Sequence, residues 1–114
     1  MALFRKDHPY QHIVDFIASV VESDDLATWV QNLADKPDYL RLLELAEMKG
    51  KMENNHEPEE YIEVVELLSN SEILHATNKV IYDLRSSGVE IKKYVSNKDN
   101  NNFKTLITLV AATT

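Results

Sequence analysis

The sequence predicts an all-α protein, an irregular bundle or short stack of five to seven helices. The 114 residues include two glycines and three prolines, too few for the many tight turns of an all-β fold. Apolar residues recur at helical spacing in several separate segments, which is typical of amphipathic helices. Leucine, alanine, glutamate and lysine fill these segments, and all four favour the helical conformation.

Length and composition predict a single helical domain over residues 1–114, with residues 1–7 as a flexible N-terminal segment. Domains cluster at about 100–150 residues, and the apolar fraction of 44% is that of a globular protein. The absence of cysteine excludes disulfides and thiolate metal sites. Near the ends, no apolar run is long enough for a signal peptide or for a membrane helix of roughly 20 residues. We therefore expect a cytoplasmic protein without membrane contact.

The first two helices are predicted on either side of a break at residues 23–25. The first runs from Pro9 to Glu22, and its apolar residues recur at three- and four-residue intervals. The run Ser23-Asp24-Asp25 supplies the N-cap of the second helix, because serine and aspartate side chains can accept a hydrogen bond from the first turn. The inner face of the second helix consists of Leu26, Trp29, Val30 and Leu33.

The third helix is predicted from Asp38 to about Lys51, and the fourth begins at Pro58 after a polar loop over residues 53–58. The third helix carries apolar residues on two neighbouring faces, so we expect it to be nearly surrounded. One face consists of Leu42, Leu43 and Ala46, and the other of Leu45, Met48 and Met52. The inner face of the fourth helix consists of Tyr61, Val64, Val65 and Leu68.

The remaining three helices follow a break at residues 69–71. Asn70 or Ser71 caps the fifth helix, and Gly88 ends it in the left-handed conformation that glycine adopts easily. Residues 89–95 have a mixed pattern that we interpret as a short helix, and the last helix starts at about Asn101. The side chains predicted at the centre of the core are Phe16, Ile17, Leu43, Leu68, Val80, Ile81 and Leu84.

The net charge of −7 is concentrated in one segment. No lysine or arginine lies between Lys51 and Lys79, whereas that stretch contains seven glutamates. The rest of the chain is therefore balanced in charge. Such a surface either keeps the protein in solution or docks a protein partner with a basic surface. The candidate partner-binding residues are Glu57, Glu59, Glu60, Glu63 and Glu66, of which Glu59, Glu63 and Glu66 form an acidic stripe along one side of the fourth helix.

The last thirty residues have the opposite balance, with five cations against Glu90 and Asp99. An acidic middle and a basic end can attract each other within one chain or between copies, so a homo-oligomer is compatible with the sequence. The basic end has no interleaved aromatic residues and no recognition-helix pattern. We therefore expect no direct binding of nucleic acid.

Three pairs of residues match metal-ligand spacing, but we expect no metal and no cofactor. His8 and His12 are four residues apart, with Pro9 between them. Two further pairs, Glu53 with His56 and Glu72 with His75, have the Glu-x-x-His spacing of di-iron bundles. Those bundles also need inward glutamates on two other helices. We expect Glu53 and His56 to lie in a loop and His75 to lie at the edge of the core.

The sequence predicts a non-enzymatic protein–protein interaction module: an adaptor, regulator or inhibitor. It has no cysteine, no serine in a nucleophile elbow and too few glycines for a phosphate-binding loop. The alternatives are an acidic inhibitor that mimics nucleic-acid phosphates and a helical bundle that binds a ligand or metal. Trp29, the lone tryptophan, is expected in the core, with an interface anchor as the alternative.

Geometry separates these three functions. An adaptor should have carboxylates around an exposed apolar patch, whereas a nucleic-acid mimic should spread carboxylates over a long surface. A metal-binding bundle should bring His75 and several glutamates to one interior point.

Overall fold

The computed structural model describes residues 10–97 and 99–113, and in this part of the chain there are seven helices and no strand. The prediction of an all-α bundle is confirmed. The predicted flexible segment over residues 1–7 lies outside the described residues. The helices are α1 (Tyr10–Val21), α2 (Asp24–Asp35), α3 (Asp38–Asn54), α4 (Glu59–Leu67), α5 (Ser71–Ser87), α6 (Ile91–Ser96) and α7 (Asn101–Thr113).

Side-chain caps fix the starts of α2 and α5. The Ser23 hydroxyl accepts a hydrogen bond from the backbone N–H of Leu26 at 3.2 Å, as its position predicts. Asn70, the first of the two predicted caps for α5, accepts from the N–H groups of Glu72 and Ile73 at 2.9 and 3.2 Å. These bonds satisfy N–H groups that have no partner within the helix.

The end of α3 differs from the prediction, because the helix continues through Glu53 to Asn54 instead of stopping near residue 51. Its last carbonyls are satisfied by a Schellman-type ending, in which Glu57 N–H donates to Met52 O at 2.9 Å and His56 N–H donates to Glu53 O at 3.1 Å. His56 occupies the left-handed position of this turn, with φ of 57°. Gly88 occupies the equivalent region after α5, with φ of 72°, as predicted.

The core is built around α5, which packs against α1, α2 and α7. α1 contributes its apolar side to the same core, and its Ile13, Ile17 and Val20 have no solvent exposure. The buried residues of α5 are Ile73, Leu74, Ala76, Thr77, Val80, Ile81 and Leu84. Burial of such side chains supplies the main free energy of folding, at about 25 cal/mol per Å² of apolar surface.

Polar bonds near the C-terminal end of α5 hold the neighbouring helices in place. Asp83 accepts from the Tyr94 hydroxyl at 2.9 Å and from the Asn102 amide at 2.7 Å. Burial raises the pKa of Tyr94 to about 12. Arg85 donates to the Val21 carbonyl at 2.8 Å and pairs with the Asp24 carboxylate. The first bonds connect α5 to α6 and α7, and the second connect it to the junction of α1 and α2.

The core prediction was correct for five of its seven residues. Ile17, Leu68, Val80, Ile81 and Leu84 are buried and Phe16 is half-buried. The prediction that Leu43 lies in the core is wrong, since 58% of its surface is exposed.

The reason for this error is the orientation of α3, which turns Leu45, Met48 and Met52 inward and leaves Leu42, Leu43 and Ala46 outside. The expectation that α3 is nearly surrounded is therefore also wrong. On α4, Tyr61 is exposed and Ile62 is buried instead.

The contrast between Leu84 and Leu43 gives a matched test of this core. Leu84 is 2% exposed and Leu43 is 58% exposed. We expect Leu84→Ala to lower the free energy of unfolding by about 2–5 kcal/mol, because it leaves a cavity. Leu43→Ala should change it by less than about 0.5 kcal/mol. Urea unfolding monitored by circular dichroism measures both values, and similar losses for the two variants would contradict the orientation of α3.

The two left-handed residues predict stability changes of opposite sign. His56→Gly should raise the free energy of unfolding by up to about 1 kcal/mol, because it removes the steric cost of a side chain at positive φ. Gly88→Ala should lower it by about 1 kcal/mol. A Cβ at Gly88 would meet nothing within 4 Å, so the loss there is conformational and not a packing clash. Thermal unfolding of the two variants measures the sign of each stability change. A Gly88→Ala variant that is more stable than the unaltered protein would contradict the left-handed conformation of Gly88.

Candidate functional site

An apolar groove with a volume of about 510 Å³ lies between the first four helices. Its lining is mostly aliphatic, aromatic and thioether, with two carboxylates. We call it the apolar groove, and its lining residues are Asp15, Phe16 and Ser19 of α1; Asp25, Leu26 and Trp29 of α2; Met48 and Met52 of α3; and Tyr61, Val64, Val65 and Leu68 from α4 and the residue that follows it.

The apolar groove exists because α3 packs chiefly against α4 and only loosely against α2. A polar bridge spans the α2–α3 side: the indole N–H of Trp29 donates to Glu44 Oε2 at 2.9 Å. The ammonium of Lys36 pairs with the other oxygen of the same carboxylate. The hydrogen bond from Lys36, followed by the one from Trp29, lowers the pKa of Glu44 below its ordinary value of 4.5, against the effect of burial. Trp29 is thus held by its edge while its ring lines the groove.

Among residues 10–97 and 99–113, the charges that line the apolar groove are both negative. Asp15 and Asp25 are exposed carboxylates, and the described lining includes no lysine, arginine or histidine. Asp15 accepts a hydrogen bond from the neutral Gln11 amide at 2.9 Å, and in the described part of the chain it forms no ion pair. Glu60 of α4 is half-buried but does not line the groove. The groove is therefore apolar inside and acidic at its edge.

The acidic stripe of α4 lies elsewhere. The residues of α4 that line the groove are separated from Glu59, Glu63 and Glu66 by the turn of the helix. Glu66 pairs with Lys49 of α3 at 2.6 Å, and Glu63 lies 3.8 Å from His12 of α1.

The five glutamates predicted as binding residues therefore have different surroundings in the fold, and their role in binding stays a prediction. Glu57, Glu59, Glu63 and Glu66 are all exposed to solvent, and Glu63 and Glu66 also have neighbours within the fold. Glu60 is half-buried, and none of the five lines the apolar groove.

The candidate metal ligands are dispersed. Among residues 10–97 and 99–113, no three His, Asp or Glu side chains come close enough to hold a metal ion. His8 lies outside the described residues. Glu72 and His75 are exposed on α5, and both line a shallow depression with Lys79. Glu53 lies in α3 and not in the predicted loop, and His56 is exposed in the turn that follows.

A second cavity, of about 530 Å³, lies between α2, α5 and the start of α7. Most of its lining residues are polar or charged, with both signs of charge present. Asp83 is already bonded to Tyr94 and Asn102, and Arg85 is already bonded to the end of α1 and to α2. These charges hold the helices together, so this cavity offers less to a ligand than the apolar groove does.

Sequence reasoning missed most of the groove. Its carboxylates come from α1 and α2, outside the glutamate-rich segment, and nothing local distinguishes Asp15 and Asp25 from other exposed acids. One signal was available: Met48 and Met52 are one helical turn apart, and unbranched thioethers are frequent where a surface must adapt to a partner. Trp29 also fits, since tryptophan often anchors interfaces.

Comparisons with protein-family models, with curated proteins and with solved structures gave no match to the chain. In the part of the chain that is described, no helix is both long enough and apolar enough to cross a membrane.

The lowered pKa of Glu44 predicts how acid weakens the bridge between α2 and α3. A carboxyl whose pKa falls on folding adds stability above its unfolded pKa, and this stability is lost as pH falls through the folded pKa. Glu44→Gln should therefore lower the free energy of unfolding by about 1 kcal/mol at neutral pH. The difference from the unaltered protein should vanish at pH well below 4.5. Chemical unfolding at the two pH values, monitored by Trp29 fluorescence, measures this; a difference that does not depend on pH would contradict it.

Proposed function

We propose that this chain is a non-enzymatic protein–protein interaction module whose apolar groove binds a basic segment of a partner protein. The observation that carries the proposal is the combination, in one groove, of an apolar lining with the carboxylates of Asp15 and Asp25, neither of which forms an ion pair with another described residue. Apolar burial supplies affinity, whereas complementary charge steers the encounter and selects among partners. We place this interaction in the cytoplasm, in keeping with the expectation from the sequence.

The edge of the groove carries exposed apolar side chains that a partner protein can cover. Leu26 and Tyr61 are large, apolar and exposed at its edge. Removing large exposed apolar side chains from water lowers the free energy of a complex. Tryptophan and tyrosine commonly contribute most of the binding energy at interfaces. A partner that buries its own apolar residues here and places lysine or arginine near Asp15 and Asp25 satisfies both parts of the lining.

A nucleic-acid mimic is less well supported. Such a protein needs carboxylates spread over a long surface and free to take the place of phosphates. In the acidic stripe, however, Glu66 pairs with Lys49 at 2.6 Å and Glu63 lies 3.8 Å from His12. A metal-binding bundle is supported least, because Glu72 and His75 face solvent.

A peptide selection with matched variants tests the proposal. We expect random peptides selected on the immobilised protein to combine apolar residues with lysine or arginine. Tyr61→Lys should weaken binding of these peptides by roughly tenfold or more, since it places a cation in the groove and removes an aromatic contact. Tyr39→Lys is the control, because Tyr39 is 72% exposed on α3 and does not line the groove. Calorimetric affinities that fall equally for both variants would contradict the groove as the site.

The charges are tested with a second matched pair. Asp15→Asn with Asp25→Asn should slow association of the selected peptides and reduce its dependence on salt. The triple variant Glu59→Gln, Glu63→Gln, Glu66→Gln removes three charges from the acidic stripe and serves as the control. If the triple variant has the larger effect on the association rate, the stripe is the docking surface and not the groove.

A further inference from the structure

We infer that the occupant of the apolar groove is an amphipathic α-helix with a cationic flank, an inference that rests on the proposed function. The apolar groove offers no strand edge to an occupant. All the walls of the groove are helices, or the residue that ends one, and no strand occurs among the described residues. An extended peptide that binds by strand addition needs an exposed strand edge. Here no edge is present to pair with its backbone.

The cost of burying backbone groups leads to the same conclusion. A segment that enters an apolar groove loses water from its N–H and C=O groups, and each unpaired group costs about 1–3 kcal/mol. Helix walls have already used their own backbone groups in internal hydrogen bonds. An occupant that is itself a helix satisfies its backbone internally and presents only side chains to the lining.

The length of the groove fits about two turns of helix. On α4 the lining runs from Tyr61 to Leu68, which at 1.5 Å per residue spans about 10 Å. On α3 it includes Met48 and Met52, which are one turn apart. Apolar residues at i, i+3 or i+4, and i+7 of a bound helix have this spacing. The two methionines adjust to side chains of different shape, so the pattern of apolar residues matters more than their identity.

The charges place the cationic flank. Asp15 belongs to α1 and Asp25 to α2, whereas the α3 lining consists of the uncharged Met48 and Met52. Lysine or arginine residues of the bound helix therefore lie on the side that faces α1 and α2. This asymmetry gives the occupant a preferred rotation about its own axis, with apolar residues inward and cations toward α1 and α2.

Synthetic peptides of about 18 residues, or five helical turns, test the inference. The first contains leucine and lysine in amphipathic helical order, and the second has the same composition in alternating order, which suits a strand. The third keeps helical order but carries a central proline, which breaks the helix. The fourth has glutamate in place of lysine. None contains tryptophan, so the lone tryptophan of the protein, Trp29, reports binding by fluorescence.

We expect the helical leucine–lysine peptide to bind at least roughly tenfold more tightly than the alternating and proline peptides. It should also gain helical circular dichroism on binding. The glutamate peptide should not bind, and Tyr61→Lys should abolish the preference while Tyr39→Lys keeps it.

Two results would overturn the inference, and they separate it from the proposed function. If the proline or alternating peptide binds as tightly as the helical one and remains sensitive to Tyr61→Lys, the groove binds basic segments but not as helices. If the helical peptide binds equally well to both tyrosine variants, its contact lies outside the groove and both proposals fail.

Discussion

The apolar side of α5 is the constraint to which the other helices conform. It carries seven buried residues, including Thr77 with no exposed surface, and α1, α2 and α7 cover it. Because three helices already cover the apolar side of α5, little of it is left for α3, which packs mainly against α4. The loose α2–α3 junction follows from this competition for space. The apolar groove is the unfilled part of that junction, bridged by the bond from Trp29 to Glu44.

This arrangement separates stability from recognition. The residues that hold the fold together are concentrated on α5 and α1, whereas Leu26 and Tyr61 at the edge of the groove contribute little to the core because they are exposed. Changes at exposed positions typically alter stability by less than about 0.5 kcal/mol. The groove can therefore vary in specificity without unfolding the protein. Trp29 is the exception, since it lines the groove and also connects α2 to α3.

Local signals predicted the fold well. Ser23 and Asn70 cap helices and Gly88 ends one, because capping depends on residues only a few positions apart. The inward face of α3 was not predictable in this way, since this helix has apolar residues on two faces and periodicity does not say which one a neighbour will cover. The apolar groove could not be predicted from the sequence for a related reason, and the role of the glutamates in binding stays a prediction. Asp15 and Asp25 become part of one groove only through tertiary packing, whereas the run of glutamates is conspicuous in the sequence but turned partly toward Lys49 and His12.

The bond from Arg85 to the carbonyl of Val21 joins residues that are 64 positions apart, and this has a consequence for synthesis on the ribosome. The apolar side of α1, with Ile13 and Ile17, is covered in large part by helices that come much later in the chain. Synthesis proceeds from the N-terminus, so α1 emerges long before α5 exists. Until residues 71–87 have been made, only α2 and α4 of the helices that pack against α1 are present, so part of the apolar side of α1 stays exposed on the nascent chain. A chaperone that recognises such helices would meet this protein early in its translation.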